Sequence, residues 1–267
     1  MSTGEPQPQK IPSTSRQRAT REIKRAERLA ATGHVPEAIA SLDQAMQLGA
    51  DRYTCYLRQA RLYQERRQWT EAVSAAEKAI AEHPTKLSAR EAIITLFLES
   101  RDYVRAVDAS KALLKISPRH VPARDALGAA YIGMGDIDGA IRVATDLIRM
   151  DPANASHRFN RAHLCQHRGE IKMAVEEFER VLQLTEETDL VESAREQLDA
   201  MDAYQMNQIL ILAFEDSIFR AKLIRDAISA AQQKGFFLSE AGRQALTDTV
   251  ADSLADLDLP YRPSQYH

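Results

Sequence analysis

Cysteine, glycine and proline are scarce in this sequence. Its 267 residues include 2 Cys, 10 Gly and 10 Pro, whereas average usage is about 7% Gly and 5% Pro. Two cysteines cannot build a disulfide framework, which favours a reducing, cytoplasmic setting. The shortage of Gly and Pro argues against collagen-like sequence and against an all-β chain with many tight turns. The composition therefore predicts a helical protein.

A strong net charge and long apolar runs are also missing. The 35 Lys and Arg nearly balance the 38 Asp and Glu, so the net charge is −3. A near-neutral chain lacks the basic excess typical of nucleic-acid-binding proteins, and nucleic acid is disfavoured as a partner. The longest apolar run, residues 209–214, is far shorter than the ~20 residues of a membrane-spanning helix. Residues 1–16 contain no apolar segment typical of a signal peptide, and we expect a disordered tail there.

A repeat of 34 residues organises residues 17–188. Alanine recurs at Ala38, Ala72, Ala106, Ala140 and Ala174. Around each alanine, apolar residues at three- and four-residue spacing predict two amphipathic helices joined by a short turn. Glycines at 33, 135 and 169 mark three of these turns, and prolines at 84, 118 and 152 end three of the second helices. We expect five repeats, at residues 19–52, 53–86, 87–120, 121–154 and 155–188.

The spacing of these columns resembles the tetratricopeptide repeat (TPR) family. The fourth repeat matches best, through Leu127, Gly128, Tyr131, Gly135, Ala140 and Pro152. The resemblance implies an all-α, right-handed superhelical solenoid in which the first helix of each repeat lines a concave groove. Such a groove has no catalytic constellation of its own. We therefore expect a non-catalytic bacterial scaffold or adaptor that binds a partner protein or peptide, with homo-oligomerisation as a further option.

Eleven residues occupy the groove-lining positions of the family. They are Leu57, Arg61, Gln64, Glu91, Thr95, Leu98, Asp125, Ile132, Phe159, His163 and Gln166. The set mixes apolar side chains with charges of both signs, as a protein partner would require. Some family members hold a free carboxylate with lysine, asparagine and arginine on successive first helices, and this sequence does not reproduce that set.

Residues 189–258 predict further helices beyond the repeats. No Gly or Pro occurs from residue 189 to 234, yet a single helix of more than 40 residues is rare in a compact protein. We therefore expect a break near residues 203–208, which separates a capping helix (189–206) from a C-terminal module (207–258). The module divides at Lys234-Gly235, with Ser239 starting its last helix, and a flexible tail follows at 259–267. Parts of the module resemble the leader domain of Nif11-type precursor peptides. Four phenylalanines are possible partner contacts: Phe214, Phe219, Phe236 and Phe237.

Two other functions stay open. In the first, His157, His163 and His167 bind a metal or ligand, because His163 and His167 share a helix face at zinc-ligand spacing. A third ligand is missing, since Cys165 should point into the helix pair. In the second, a basic N-terminal helix contacts RNA, although no aromatic residue accompanies its charges; its basic residues are Arg16, Arg18, Arg21, Lys24, Arg25 and Arg28. Motifs for phosphate loops, nucleophile elbows and zinc proteases are absent, so we expect neither an enzyme nor a cofactor.

Overall fold

The computed structural model of the chain describes residues 13–254. Within this range it contains fourteen α-helices, a short π-helix and no strand, so the predicted all-α class is confirmed. The α-helices are α1 (Ser13–Ala31), α2 (Val35–Gln47), α3 (Arg52–Glu65), α4 (Trp69–Glu82), α5 (Ser88–Glu99), α6 (Tyr103–Ile116), α7 (Val121–Gly133), α8 (Ile137–Met150), α9 (Ala155–Arg168), α10 (Ile171–Leu184), α11 (Thr188–Glu215), α12 (Ser217–Arg225), α13 (Ala227–Gln233) and α14 (Glu240–Thr249). The π-helix spans Val250–Leu254. The expected tail at 259–267 lies outside the described residues.

Helices α1 to α10 follow one another in the order of five helix–turn–helix repeats. The largest difference from the expected bounds is at the start, where α1 begins at Ser13 inside the expected tail. Two contacts account for the longer helix: Ser15 Oγ donates to the carbonyl oxygen of Leu48 at 3.0 Å, and Ala19 is buried. The chain divides into two compact units, an amino-terminal unit up to Asp136 and a carboxy-terminal unit from Ile137.

The five alanines of the 34-residue repeat share one environment. Each lies near the start of a second helix, and each is 0% or 1% exposed. A methyl group at this position lets the second helix approach its neighbours closely, whereas a longer side chain would push the backbones apart. The equal burial of these alanines supports the repeat register.

All five repeats turn between their helices with the same backbone geometry. The turn residue has a positive φ in each case: 80° at Gly33, 58° at Arg67, 59° at Arg101, 75° at Gly135 and 83° at Gly169. The next residue then donates its N–H to a carbonyl five residues earlier, at 2.8–2.9 Å, which ends the first helix in the manner of a Schellman motif. Glycine adopts this conformation without strain, but an L-residue costs about 1–2 kcal/mol there.

We predict that Arg67→Gly and Arg101→Gly each stabilise the fold by about 0.5–1 kcal/mol, because relief of the left-handed strain exceeds the entropy cost of glycine. Urea unfolding of the full chain, followed by circular dichroism, measures the change. Arg66→Gly is the matched control: Arg66 precedes the turn at φ −93°, so glycine there should not stabilise. A gain for Arg66→Gly equal to that for Arg67→Gly would contradict the explanation.

The break expected near residues 203–208 is absent. Instead, α11 continues for 28 residues from Thr188 to Glu215. The same face of α11 is buried along its length. Its first half packs Ala194 and Leu198 into the core of repeat 5, and its second half packs Ile209 and Ala213 into the core of the C-terminal module. A continuous helix therefore buries apolar residues in both cores, and no interruption is needed.

Three helices, rather than the expected two, complete the C-terminal module. The additional division falls at Asp226, whose side chain accepts the N–H of Ser229 at 3.0 Å and so starts α13. The expected division after Lys234 is present, since Gly235 has φ +89°. Ser239 starts α14 as expected, because its Oγ accepts the N–H of Gly242 at 3.1 Å.

Two buried side chains of α11 hold the segment before α14. Gln205 donates to the carbonyl oxygen of Phe237 at 2.9 Å and accepts the N–H of the same residue at 2.7 Å. Asp202 accepts the N–H of Ser239 at 2.9 Å and also bonds its hydroxyl. A Cβ added to Gly242 would overlap the Asp202 carboxylate. These contacts dock the module on α11.

We predict that Gln205→Ala loosens this docking, because it leaves the backbone N–H and the carbonyl oxygen of Phe237 without their partner, at a cost of about 1–3 kcal/mol. Hydrogen exchange should become faster in residues 236–246 and stay unchanged in the amino-terminal unit. Gln208→Ala removes the same atoms from a partly exposed position and is the control. Unchanged exchange at residue 237 would show that the bonds do not hold the segment.

Candidate protein-binding surfaces

The first helices of the amino-terminal unit form a wall that polar side chains link together. Helix α3 contacts α5, and α5 contacts α7. Arg58 Nη1 lies 2.5 Å from Glu27 Oε1 and joins α3 to α1. Gln64 Nε2 donates to Glu99 Oε2 at 2.8 Å. We call this wall, formed by α1, α3, α5 and α7, the first-helix face.

A further link joins α5 to the start of α7. His120 Nε2 lies 2.7 Å from Glu91 Oε1, while the other ring nitrogen accepts the N–H of Ala123 at 3.1 Å. Both nitrogens are therefore engaged, and the ring orientation is set by the protein. The predicted groove residues Gln64 and Glu91 thus bind neighbouring helices and help to hold the first-helix face together.

The remaining predicted groove residues of this unit differ in exposure. Leu57 and Leu98 are half-buried and pack on the cores beneath them. Exposed side chains that a partner can contact are Arg61, Thr95, Asp125 and Ile132. The Arg61 side chain is 81% exposed and lies 3.3 Å from Glu65 of its own helix; an exposed pair of this kind contributes little to stability and exchanges partners readily.

A cleft of about 470 Å³ opens between α1 and α3. Its floor is apolar and includes Ala26, Leu42 and Leu62, which are all buried. Its rim carries charges of both signs, namely Glu27, Arg58, Arg61 and Glu65. Sequence reasoning found Arg61 but missed the α1 side of the cleft. The signal was present in the run of small residues at Ala30 and Ala31, which leaves the space open.

In the carboxy-terminal unit, Phe159 and His163 belong to an aromatic cluster. Their ring centroids lie 4.6 Å apart, and both rings meet buried Phe178 edge to face, at 5.5 and 5.1 Å. Burial lowers the pKa of His163, and a hydrogen bond of its ring with the Gln166 side chain acts in the opposite direction. The lowered pKa favours the neutral form of this imidazole. Gln166 is half-buried and lines a separate cleft of about 350 Å³ together with Tyr204 and Phe236.

The histidine cluster does not become a metal centre in this structure. Within residues 13–254, no three His, Cys, Asp or Glu side chains come together in a way that could hold a metal ion. His163 packs against aromatic rings instead, His167 is exposed, and Cys165 is fully buried in the core of repeat 5, where the repeat pattern places it.

The four predicted phenylalanine contacts have different surroundings. Phe219 is 1% exposed and packs in the core of the module, so its prediction as a partner contact is wrong; the burial of α12 on α11 explains it. Phe236 and Phe237 are half-buried, and Lys172 Nζ lies 5.7 Å from the Phe237 ring centroid. Phe214 is 66% exposed. Only Phe214 of the four offers its ring freely to solvent.

The basic residues predicted on the first helix lie on the exposed surface of α1. Arg25 lies 3.5 Å from Glu22 one turn earlier.

In the described part of the chain, no helix has the length and apolar character needed to cross a membrane.

Both cysteines are free and buried, and burial is the main cause that raises the pKa of Cys55 and of Cys165. We predict that neither thiol reacts readily with Ellman's reagent in the native protein at pH 8, because only the thiolate attacks and its fraction is reduced. Both should react at once in denaturant. If the thiols of the native protein reacted with Ellman's reagent as fast as free cysteine, their buried placement would be contradicted.

Comparison with known proteins agrees with the repeat geometry. The fold is that of a helix–turn–helix repeat protein. The tetratricopeptide repeat family model matches residues 57–120 and 126–187. These matched residues, a little under half of the chain, are similar to tetratricopeptide repeats, as the column spacing predicts. No curated protein matches the chain.

Solved structures share the fold at low sequence identity. MamA (residues 41 to the end) from Desulfovibrio magneticus RS-1 is 18% identical with a TM-score of 0.54, and the match covers 67% of this chain and 99% of that chain. YrrB, described as a TPR protein with an unusual peptide-binding site, is 18% identical with a TM-score of 0.50 and coverages of 67% and 92%. A further MamA structure is 17% identical with a TM-score of 0.52, covering 62% and 91%.

Proposed function

We propose that this protein is a non-catalytic scaffold that holds an extended segment of a partner protein on the first-helix face, for complex assembly or regulation. The cleft between α1 and α3 carries the proposal. Its apolar floor has room for a partner side chain, and its rim offers charges of both signs to the flanking backbone and side chains of a peptide.

Several features support this proposal. Proteins of the tetratricopeptide repeat family are typically interaction scaffolds, and the printed description of YrrB names a peptide-binding site. The links from Arg58 to Glu27 and from Gln64 to Glu99 hold neighbouring helices in place, so little ordering is required when a peptide binds. Exposed Asp125 and Ile132 extend the same face beyond the cleft.

The proposal includes a cytoplasmic location and a protein or peptide partner. Two free thiols suit a reducing compartment. Self-association is part of the proposal as well.

The cleft can be closed without disturbing the core. We predict that Ala31→Trp, at an exposed position on its rim, weakens peptide binding by about tenfold or more, because the indole fills the space meant for the partner side chain. Peptides of fixed length are first selected from a displayed library on the wild-type protein. Fluorescence anisotropy then measures their dissociation constants with the variants.

Ala40→Trp is the matched control, since it places the same ring at an exposed position of α2 in the same repeat. Arg61→Glu tests the rim charge and should weaken acidic peptides most. If the selected peptides bound Ala31→Trp and Ala40→Trp equally well, the cleft would not be their binding site.

A further inference from the structure

Two helices at the ends of the repeat series expose side chains of opposite charge. Helix α1 opens the first repeat, and α11 follows the fifth. In a repeat protein each unit packs only on its neighbours, so a helix at either end exposes the side that an inner helix would bury. On α1 this side is basic, and on the first half of α11 it is acidic.

The exposed side of α1 carries four arginines at spacings of three, four and three residues, which we call the basic stripe: Arg18, Arg21, Arg25 and Arg28. At 100° per residue this spacing keeps them on one face of the helix. Ala19 and Ala26 are buried on the other side. Lys24 is exposed beside the stripe, and Glu22 lies at its edge, 3.5 Å from Arg25.

The first half of α11 carries four exposed carboxylates at the same three spacings, which we call the acidic stripe: Asp189, Glu192, Glu196 and Asp199. Ala194 and Leu198 are buried on the other side of the helix, in the core of repeat 5. Arg195 lies at the edge of the stripe, where it lines a cleft with Glu179 and Glu240. Each stripe belongs to one uninterrupted helix and is about 15 Å long, because a helix rises about 1.5 Å per residue.

The charges within each stripe repel one another. Like charges three or four residues apart destabilise a helix, whereas opposite charges at that spacing stabilise it. Among residues 13–254, the contact of Arg25 with Glu22 is the one ion pair that either stripe makes. A partner of opposite charge would relieve this repulsion.

We infer that the basic stripe of one copy of the chain binds the acidic stripe of a second copy. The stripes have equal length, equal spacing and opposite charge, so four arginines can meet four carboxylates along the contact. The contact joins two different faces and is therefore heterologous. The net charge of the whole chain is only −3, so little overall repulsion opposes association.

The residues of α1 favour a protein partner over a nucleic acid or a membrane. The helix contains no aromatic residue on which a base could stack. Its large apolar residues, Ile23 and Leu29, pack against the core of the first repeat. The exposed face therefore offers charge without the apolar side chains that anchor a surface helix in a bilayer.

This contact goes beyond the proposed peptide binding, because Arg21 and Arg28 do not line the cleft between α1 and α3. It supplies a surface for the self-association included in the proposed function. Exposed ion pairs contribute little each and are screened by salt. We therefore expect a reversible association that weakens as the salt concentration rises.

Sedimentation of the full chain, freed of nucleic acid, tests the inference at about 1 to 100 μM protein. The wild-type chain should associate at about 0.01 M salt and be monomeric at about 1 M, because the screening length falls from about 30 to about 3 Å. Variant A carries Arg21→Glu and Arg28→Glu, and variant B carries Glu192→Lys and Glu196→Lys. Each should associate more weakly than wild type by about tenfold or more, since like charges then meet.

The matched control carries Lys115→Glu and Arg119→Glu. These exposed positions lie on α6 and in the loop after it, and the two changes alter the net charge as much as variant A does. The control should associate like wild type at low salt. Association of the control as weak as that of variant A would show that net charge, rather than the stripe, is responsible, and would overturn the inference.

Recombination of the variants tests which stripes meet. An equimolar mixture of A and B should recover association, because each acidic face then finds a basic one. The four changes in one chain should recover it too, and circular dichroism checks that all variants keep their helices. A four-fold variant as weak as A would overturn the pairing of the two stripes.

Peptide binding to variant A separates this inference from the proposed function. Weakened association with unchanged peptide affinity would support the contact between stripes and leave the cleft unaffected. A wild-type chain that stays monomeric at low salt would overturn the inference. If that monomer bound a fluorescent polyuridylate and variant A did not, the basic stripe would belong to a nucleic acid instead.

Discussion

The close contact at the buried alanines is the constraint on which the repeats depend. At positions 38, 72, 106, 140 and 174 a methyl group is nearly or fully buried, and this small size sets how near the second helix comes to its neighbours. With that distance set, the larger side chains fill the remaining space. The same contact positions the first helices, whose outward sides become the surfaces available to partners.

Much of the fold could be predicted from the sequence, because its causes recur every 34 residues. The alanine column repeats every 34 residues, and three of the five turns carry a glycine in the same register. The turns at Arg67 and Arg101 could not be recognised from residue type, because arginine is not typical of positions with a positive φ. Their position follows only from the period. The break expected in α11 was wrong for a related reason: length alone suggested it, whereas one face of the helix is buried in two successive cores.

The candidate surfaces were less predictable than the fold. Family positions locate the first helices, but whether a side chain is free depends on contacts with residues about 30 positions away, such as Gln64 with Glu99 and Glu91 with His120. The burial of Phe219 could not be predicted either, because an amphipathic pattern does not say which of two apolar faces packs against a neighbouring helix. Residues that look equivalent in the sequence therefore take different roles, some linking helices and others meeting solvent.

Two exposed surfaces of the described chain differ in chemistry. The cleft between α1 and α3 combines a small apolar floor with the exposed Arg61–Glu65 ion pair, which exchanges partners readily, and this suits a peptide that binds and leaves. On α11, the side chains of Tyr204, Ile211 and Phe214 are exposed and apolar. Since the surfaces belong to separate compact units and share no residue, substitutions at one should leave the other intact.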